Sequence, residues 1–358
     1  MKELENGIFT KHEDFLSNPL LLTIMLLTFT DVAEIPTKMH IFYEHAFDAL
    51  FFRHDSSKGL FRRETCSKLA IDDFKDILSI FSTSGYLRDE YTFSNTKLLS
   101  YIRNAKKLIP NVKFRPEDFK EDLLKSVCIL IQDGTAFTYT HRSFQEYFTA
   151  LFLTKFETQN HFDIYKKLAQ HPFDHPIKLA FEINQSSVER QFVAPLVEEI
   201  LLRTNNDART LFKMLFKNIT FKTIDARHRI ITSMEDLTKS KKKQRALRWV
   251  AIQDARSDHG NGYSILVWTL MTLYEQNNKG KFPSLRHVVS QAKMKKALGE
   301  PQIGNLREQE SKVIDWGLME QTGFVERCEK TLVFLNWLDK EIKSRPFGGE
   351  KKDLFSIL

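Results

Sequence analysis

The segment 136–150, AFTYTHRSFQEYFTA, places His141 where a β-rich stretch gives way to a helix. The first amides of a helix lack intrahelical acceptors, so an imidazole at that corner stands beside a ready anion site and can contact a phosphate. The plainer reading is that His141 caps the helix or packs against it, and spacing alone leaves both open. Turning over a nucleotide would demand more: a backbone cradle with its lysine, and a metal held by Ser/Thr and an acidic strand end. No GxxxxGK[ST] string occurs in the sequence.

The other candidates are weaker. Glu146 has the chemistry of an acid or base, but a salt bridge or a solvent-facing position accounts for it more simply. Asp254, Asp258 and His259 imitate metal ligands without forming a tight cluster, and a surface loop explains them. His171, Asp174 and His175 flank prolines in HPFDHP, where a metal site is the minor reading. GNG at 260–262 lacks the strand and spacing of a dinucleotide loop and reads as a turn. The three cysteines, Cys66, Cys128 and Cys328, are scattered and odd in number, so they suggest neither a disulfide framework nor a metal site, and a reducing, cytoplasmic setting suits them. No catalytic or metal-ligating residue is assigned.

The elements that must position these residues are mostly helical. A chain of 358 residues with 42% hydrophobic content has the length for two or three packed domains. Its 53 Lys and Arg against 46 Asp and Glu leave a mild excess of +7, which permits anionic partners without demanding nucleic acid. The 30 phenylalanines fall mostly at helix-face spacings and predict an aromatic-rich core. The apolar run 19–29 is interrupted by Thr23 and Thr28, falls short of the roughly 20 residues a membrane span needs, and reads as a buried helix. Pro19 suits its first position, after Ser17 or Asn18 as cap. The opening MKELENG shows no secretion signal.

Helices are predicted over 38–52, from near 62 through Leu69, over 72–85 with Gly85 as terminator, and over 95–108 and 119–126. A weak strand is predicted at 86–93. Strands at 127–132 and 136–140 flank Asp133-Gly134, a pair that favours hairpin turns. A helix over 143–156 follows, with Phe144, Phe148, Leu151 and Phe152 on one side. Further helices are predicted at 162–169, 177–182, 188–203 and 208–217. The lysine-rich run 239–248 reads as a solvated loop opening a helix, with a phosphate-binding patch as the lesser reading. Helices are predicted at 263–275 and 285–298, and 313–318, Gly323 and 331–342 suit a compact terminal bundle. The expected fold is mainly α: a helical domain, a winged-helix domain with a small β-hairpin, and an α-helical C-terminal region.

The fuller string FTYTHRSFQEYFTALFL, with Phe137, His141, Ser143, Phe144, Gln145, Glu146, Tyr147, Phe148 and Ala150, resembles the winged-helix motif of NACHT-type ATPases of the STAND class. Animal NOD-like receptors and bacterial antiviral proteins belong to that class. Upstream, FLSNPLLLTIMLL is similar to the end of the NACHT nucleotide-binding domain, and EIPTKMHIFYEHAFDALFFRHD to the helical domain that follows it. The likeness spans roughly residues 10–155, under half the chain.

This resemblance implies that His141 contacts the β-phosphate of ADP and holds a closed state. Pro19 would lie against the adenine beside apolar neighbours such as Leu20, while Phe144 and Phe148 would pack the domain. The implied division is 1–65 for the end of the nucleotide-binding domain and the helical domain, and 66–157 for the winged helix. Residues 158–237 would form a helical linker or scaffold, and 238–358 a C-terminal helical domain that a sensor role would suit.

The Walker strands of the family precede the matched region, so the chain reads as a truncated product, a split-gene half or a fragment, and not an enzyme by itself. ADP or ATP, with Mg in the intact parent, would bind only with the upstream NACHT nucleotide-binding portion as partner. The parent would be an ATPase that passes from an ADP-held monomer to an ATP-bound homo-oligomer on an unknown trigger, in antiviral defence or innate immunity. A rival reading is a non-enzymatic helical protein-interaction or DNA-binding module with a winged-helix relic, nucleic acid being the less favoured partner. A third is a remnant with no independent activity.

Overall fold

Phe74, Ile77, Leu78 and Phe81 recur at helical spacing behind Asp72 and Asp73, whose charge suits the positive end of a helix dipole. In the computed structural model those residues lie on helix α2, Ile71–Tyr86. The structure describes residues 38–53, 65–170, 176–215, 219–225, 229–231, 247–253, 263–275, 312–313, 320–321 and 324–345. Pro19 and the run 19–29, the HPFDHP residues His171, Asp174 and His175, the Asp254–Asp258–His259 group, the GNG turn and the helix expected at 285–298 lie outside them.

By its contacts the chain divides into two compact units, Met1–Ile164 with Phe173–Val188, and Tyr165–Pro172 with Glu189–Leu358. In the first, α1 is Met39–Arg53, and α2 is followed by β1, Thr92–Ser94, and α3, Asn95–Leu108. Ser94 caps α3 by accepting from Lys97 N at 3.3 Å. Next come α4, Pro116–Glu121, strands β2, Leu130–Asp133, and β3, Ala136–Tyr139, and helix α5, Arg142–Lys155. Helix α6, His161–Leu168, passes from the first unit to the second, and α7, Pro176–Ile183, and α8, Gln185–Val188, return to the first.

The three strands form an antiparallel sheet in the order β1-β3-β2. Its hairpin turns at Gly134, whose φ of +58 is the left-handed geometry such turns require and glycine adopts without strain. Register is fixed by burial: Phe93 pairs with Phe137, and both point inward while Thr92 and Ser94 face out. The core is aromatic, as the phenylalanine spacing predicts. Phe74 meets Phe119 at a tilt, ring centres 4.5 Å apart, as Phe81 meets Phe93 at 5.3 Å, and Phe148 meets Phe47 edge-on at 5.1 Å. Helices α2 and α7 both pack on α5. The end of α2 comes so close that a Cβ on Gly85 would stand 3.0 Å from Gln145 Nε2, Glu90 O and Phe93 Cζ.

Two local expectations are corrected. The helix expected through Leu69 is absent at 65–70: Lys68 is left-handed at φ +54, and the buried Asp122 carboxylate accepts from Cys66 N at 2.7 Å and Ser67 N at 2.8 Å. Amides held by a side chain cannot also feed a helical ladder. The helix expected over 119–126 is α only as far as Glu121 and then widens into a π turn, Asp122–Ser126, closed by Val127 N on Asp122 O at 2.8 Å.

In the second unit, Glu189–Val193 carries α8 onward as a π turn into α9, Ala194–Thr204. Left-handed Asn205 and Asn206 end α9, and α10 is Ala208–Leu215. The all-helical C-terminal region expected from sequence is also corrected. Strands β4, Ile219–Asp225, β5, Arg229–Ile231, β6, Leu247–Gln253, and β7, Lys312–Val313, form a sheet in the order β5-β6-β4-β7. Leu247-Arg-Trp-Val-Ala-Ile is rich in residues that suit a pleated surface, and pairing with β4 overrides the helix expected to start in the lysine run. Helix α11, Tyr263–Glu275, has the expected bounds, whereas α12, Phe324–Ser344, contains the stretch expected at 331–342 and starts earlier, and Val313, expected to open a helix, lies in β7; α12 packs on α9 and α10. Buried Glu189 accepts from Tyr274 Oη at 2.7 Å and Arg345 Nη1 at 2.8 Å, which satisfies a carboxylate otherwise costly to desolvate. Among the described residues no helix is long and apolar enough to cross a membrane.

Candidate functional site

Strand β3 hands over to α5 through Thr140 and His141. Thr140 is pinned on both sides, its amide donating to Ile129 O at 2.8 Å and its hydroxyl to Cys128 O at 2.7 Å. His141 follows in extended geometry, φ −149 and ψ 133, as the N-cap of α5. Its Nδ1 accepts from Ser143 N at 3.2 Å and lies 2.5 Å from Ser143 Oγ. A backbone N–H can only donate, so Nδ1 carries no proton and the neutral ring holds its proton on Nε2. Burial of the half-buried ring lowers its pKa, which favours that neutral form.

The site therefore differs in detail from the one spacing suggests. Ser143 N and Phe144 N, at 3.1 Å from His141 O, are both engaged by His141 itself. The donor left over is the imidazole Nε2–H, which has no hydrogen-bond partner among the described residues. The capping reading of His141 is the one realised, through Nδ1.

The neighbouring aromatic residues pack on one another: Tyr43 of α1 stacks on Tyr147 at 5.5 Å and meets Phe144 edge-on at 5.9 Å. Burial pushes the Tyr43 phenol well up; the nearby Ser143 side chain opposes that shift and the Glu146 charge adds to it. Arg142 lies 4.8 Å from the Tyr91 ring centre and 5.8 Å from that of Tyr86, with Nε 3.7 Å from Glu146 Oε1. Glu146 is buried in this ion pair, so of its two simpler readings the salt bridge is the one realised. Phe144 and Phe148 are buried packing residues. Gln145, fully buried, donates from Nε2 to Glu90 O at 2.8 Å and ties α5 to the turn after α2.

Sequence reasoning missed Tyr43 and gave Ser143 no role. A serine two positions after a capping residue is a local clue, since that position supplies the capped amide. Tyr43 offers no such clue, because its ring meets Phe144 and Tyr147 only after α1 packs on α5. Among the described residues no group of three or more His, Cys, Asp or Glu could hold a metal ion. No protein-family model, curated protein or solved structure matches the chain.

Proposed function

We propose that this chain is the regulatory, sensor-side portion of a NACHT-type signalling ATPase, in which His141 donates from Nε2 to the β-phosphate of ADP. The observation that carries the reading is the divided imidazole: Nδ1 is committed to the helix cap, so Nε2–H is fixed as a donor suited to a phosphate oxygen. The element order α2-β1-α3-α4-β2-β3, with sheet order β1-β3-β2, supports assigning this part of the first unit as the winged-helix domain. The nucleotide, ADP or ATP with Mg, is held together with an upstream nucleotide-binding portion, and Pro19 lies on the adenine. Loss of the ADP contact frees the winged helix to move as a body toward an ATP-bound homo-oligomer, in antiviral or innate immune signalling in the cytoplasm. ATP hydrolysis belongs to the intact parent and not to this chain.

A DNA-binding role is less well supported. Glu117, Asp118 and Glu121 crowd α4, the second helix of the α3–α4 pair and the one a helix-turn-helix would present to a groove. The test is ADP retention after gel filtration by the chain joined to its phosphate-loop portion. His141→Ala should release ADP at least about tenfold faster, as expected when a charge-assisted hydrogen bond is lost. Unchanged release would refute the phosphate contact.

A further inference from the structure

The corner that carries His141 is held from behind by Thr140. Its amide donates to Ile129 O at 2.8 Å, one step beyond the last ladder pair of the hairpin, Leu130 with Tyr139. Any residue but proline could make that bond. The second bond is particular to a hydroxyl: Thr140 Oγ1 donates to Cys128 O at 2.7 Å. That carbonyl is fixed in place, because Cys128 stands in left-handed geometry, φ +54, between the fully buried side chains of Val127 and Ile129. Cys128 in turn follows the π turn that Val127 N closes on Asp122 O at 2.8 Å. The Asp122 carboxylate, itself fully buried, gathers Ser126 Oγ at 2.8 Å together with the amides of Cys66 and Ser67. A run of hydrogen bonds, joined by the peptide link between Val127 and Cys128, thus leads from residues 66–67 through the π turn to the residue before His141.

We infer that Thr140 is a positioning residue for His141 and that Asp122 sets its anchor, so that release of residues 65–70 loosens the His141 corner. The functional meaning rests on the proposed phosphate contact, whereas the positioning can be read without any nucleotide. A phosphate oxygen is met only within about 3 Å, so a swing at the β3–α5 corner, one peptide from the ring, opens the contact. The same swing strains the cap, since Nδ1 must stay within reach of Ser143 N, at 3.2 Å. Coupling of this kind needs an element with two arrangements, and a π turn, which holds one residue more than the α ladder, supplies one. With Asp122 engaged the turn is held wide. With residues 65–70 withdrawn it can close toward the α ladder, which draws the Cys128 carbonyl away from Thr140. These residues lie between α1 and α2 in the chain, so a pull from the side of α1 reaches the His141 corner through them.

The experiment uses the full chain and follows amide exchange at Ser143, the capped amide, by NMR. Thr140→Val keeps the branched shape and the amide but removes the hydroxyl, and Thr140→Ser returns it. Thr140→Val should raise exchange at Ser143 by about three- to tenfold, the net worth of one hydrogen bond, with α2 amides changing no more than global stability dictates. Thr140→Ser should stay near wild type. Asp122→Asn should raise exchange at 65–70 and at Ser143 together, and its effect on Ser143 should be less than additive with that of Thr140→Val. Ser126→Ala, which takes one partner from the Asp122 carboxylate and leaves its charge, should show the same pattern at smaller size if Asp122→Asn does not fold. Unchanged exchange at Ser143 in Thr140→Val would overturn the positioning role, and exchange that rises at 65–70 alone in the Asp122 and Ser126 variants would overturn the coupling. In the chain joined to its phosphate-loop portion, Thr140→Val should speed ADP release by about three- to tenfold and Thr140→Ser should not. Unchanged release in Thr140→Val beside faster release in His141→Ala would overturn the link between corner and contact. If Ser143 exchange responds as expected but His141→Ala leaves ADP release unchanged, the phosphate contact is what fails.

Discussion

Gly85→Ala should loosen the first unit, although alanine is the better helix former. The added Cβ would lie 3.0 Å from Gln145 Nε2, Glu90 O and Phe93 Cζ, and none of the three can yield cheaply. Gln145 Nε2 is held at 2.8 Å from Glu90 O; Glu90 N closes on Gly85 O at 3.0 Å; Phe93 is fully buried between Phe81 and Tyr101. Overpacking of this kind costs about 1–3 kcal/mol. Lengthening the Gln145 bond adds about 0.5–1.5 kcal/mol. The alanine recovers at most about 1 kcal/mol of helix propensity, and less near a helix end. The net expectation is a loss of about 1–3 kcal/mol.

All 4 tryptophans, Trp249, Trp268, Trp316 and Trp337, belong to the second unit, so their fluorescence serves as an internal control. Hydrogen exchange of peptides from α2 and α5 in a urea series reads the first unit directly. Protection there should fall while the tryptophan transition stays in place. Unchanged or increased protection of α2 and α5 would refute the argument, since it would mean that the three neighbours give way freely.

Three other outcomes are expected. Asp122→Asn should cost about 2–3 kcal/mol, because an amide NH2 must then face one of the backbone N–H groups of Cys66 and Ser67; the sign is early hydrogen exchange at 65–70. Cys128→Gly should stabilise the unit by about 0.5–1 kcal/mol, since Cys128 sits at φ +54 after the π turn and glycine adopts that geometry without strain; chemical denaturation checks it. The folded His141 has a pKa below the ordinary 6.5, so the unfolded chain binds more protons between the two values. His141 should thus destabilise the fold increasingly as pH drops from about 6.5 through the folded pKa, and His141→Gln should remove that part of the pH dependence in denaturant titrations.

Local chemistry made much of the first unit legible. Asp133-Gly134 between two short apolar runs marked the hairpin, and Phe144, Phe148 and Phe152 marked α5, whose observed start lies one residue before the expected one. Phe74 through Phe81 fixed α2 in the same way. What stayed hidden depends on partners distant in sequence. Leu69 sits in a pattern that suits a helix, but Asp122 takes the local amides. Strand β6 exists through pairing with β4 and β5, and residues 219–225 carry too mixed a pattern to announce it. At the site, His141 could be picked out by type and position, whereas the assignment of its two nitrogens required Ser143 in place.

The path of the chain between its two units has a practical consequence for dissecting the protein. It leaves the first unit after Ile164, re-enters at Phe173 and leaves again after Val188. No single cut releases either unit whole. A stop codon placed after α5 or within α6 would strip away α7 with its buried Ile177, Leu179 and Phe181, and would uncover the face it covers on α5, the helix that carries His141. Deletion series read as a map of separable functions would therefore mislead in this chain, and loss of activity on truncation would report a broken core before it reported a missing sensor.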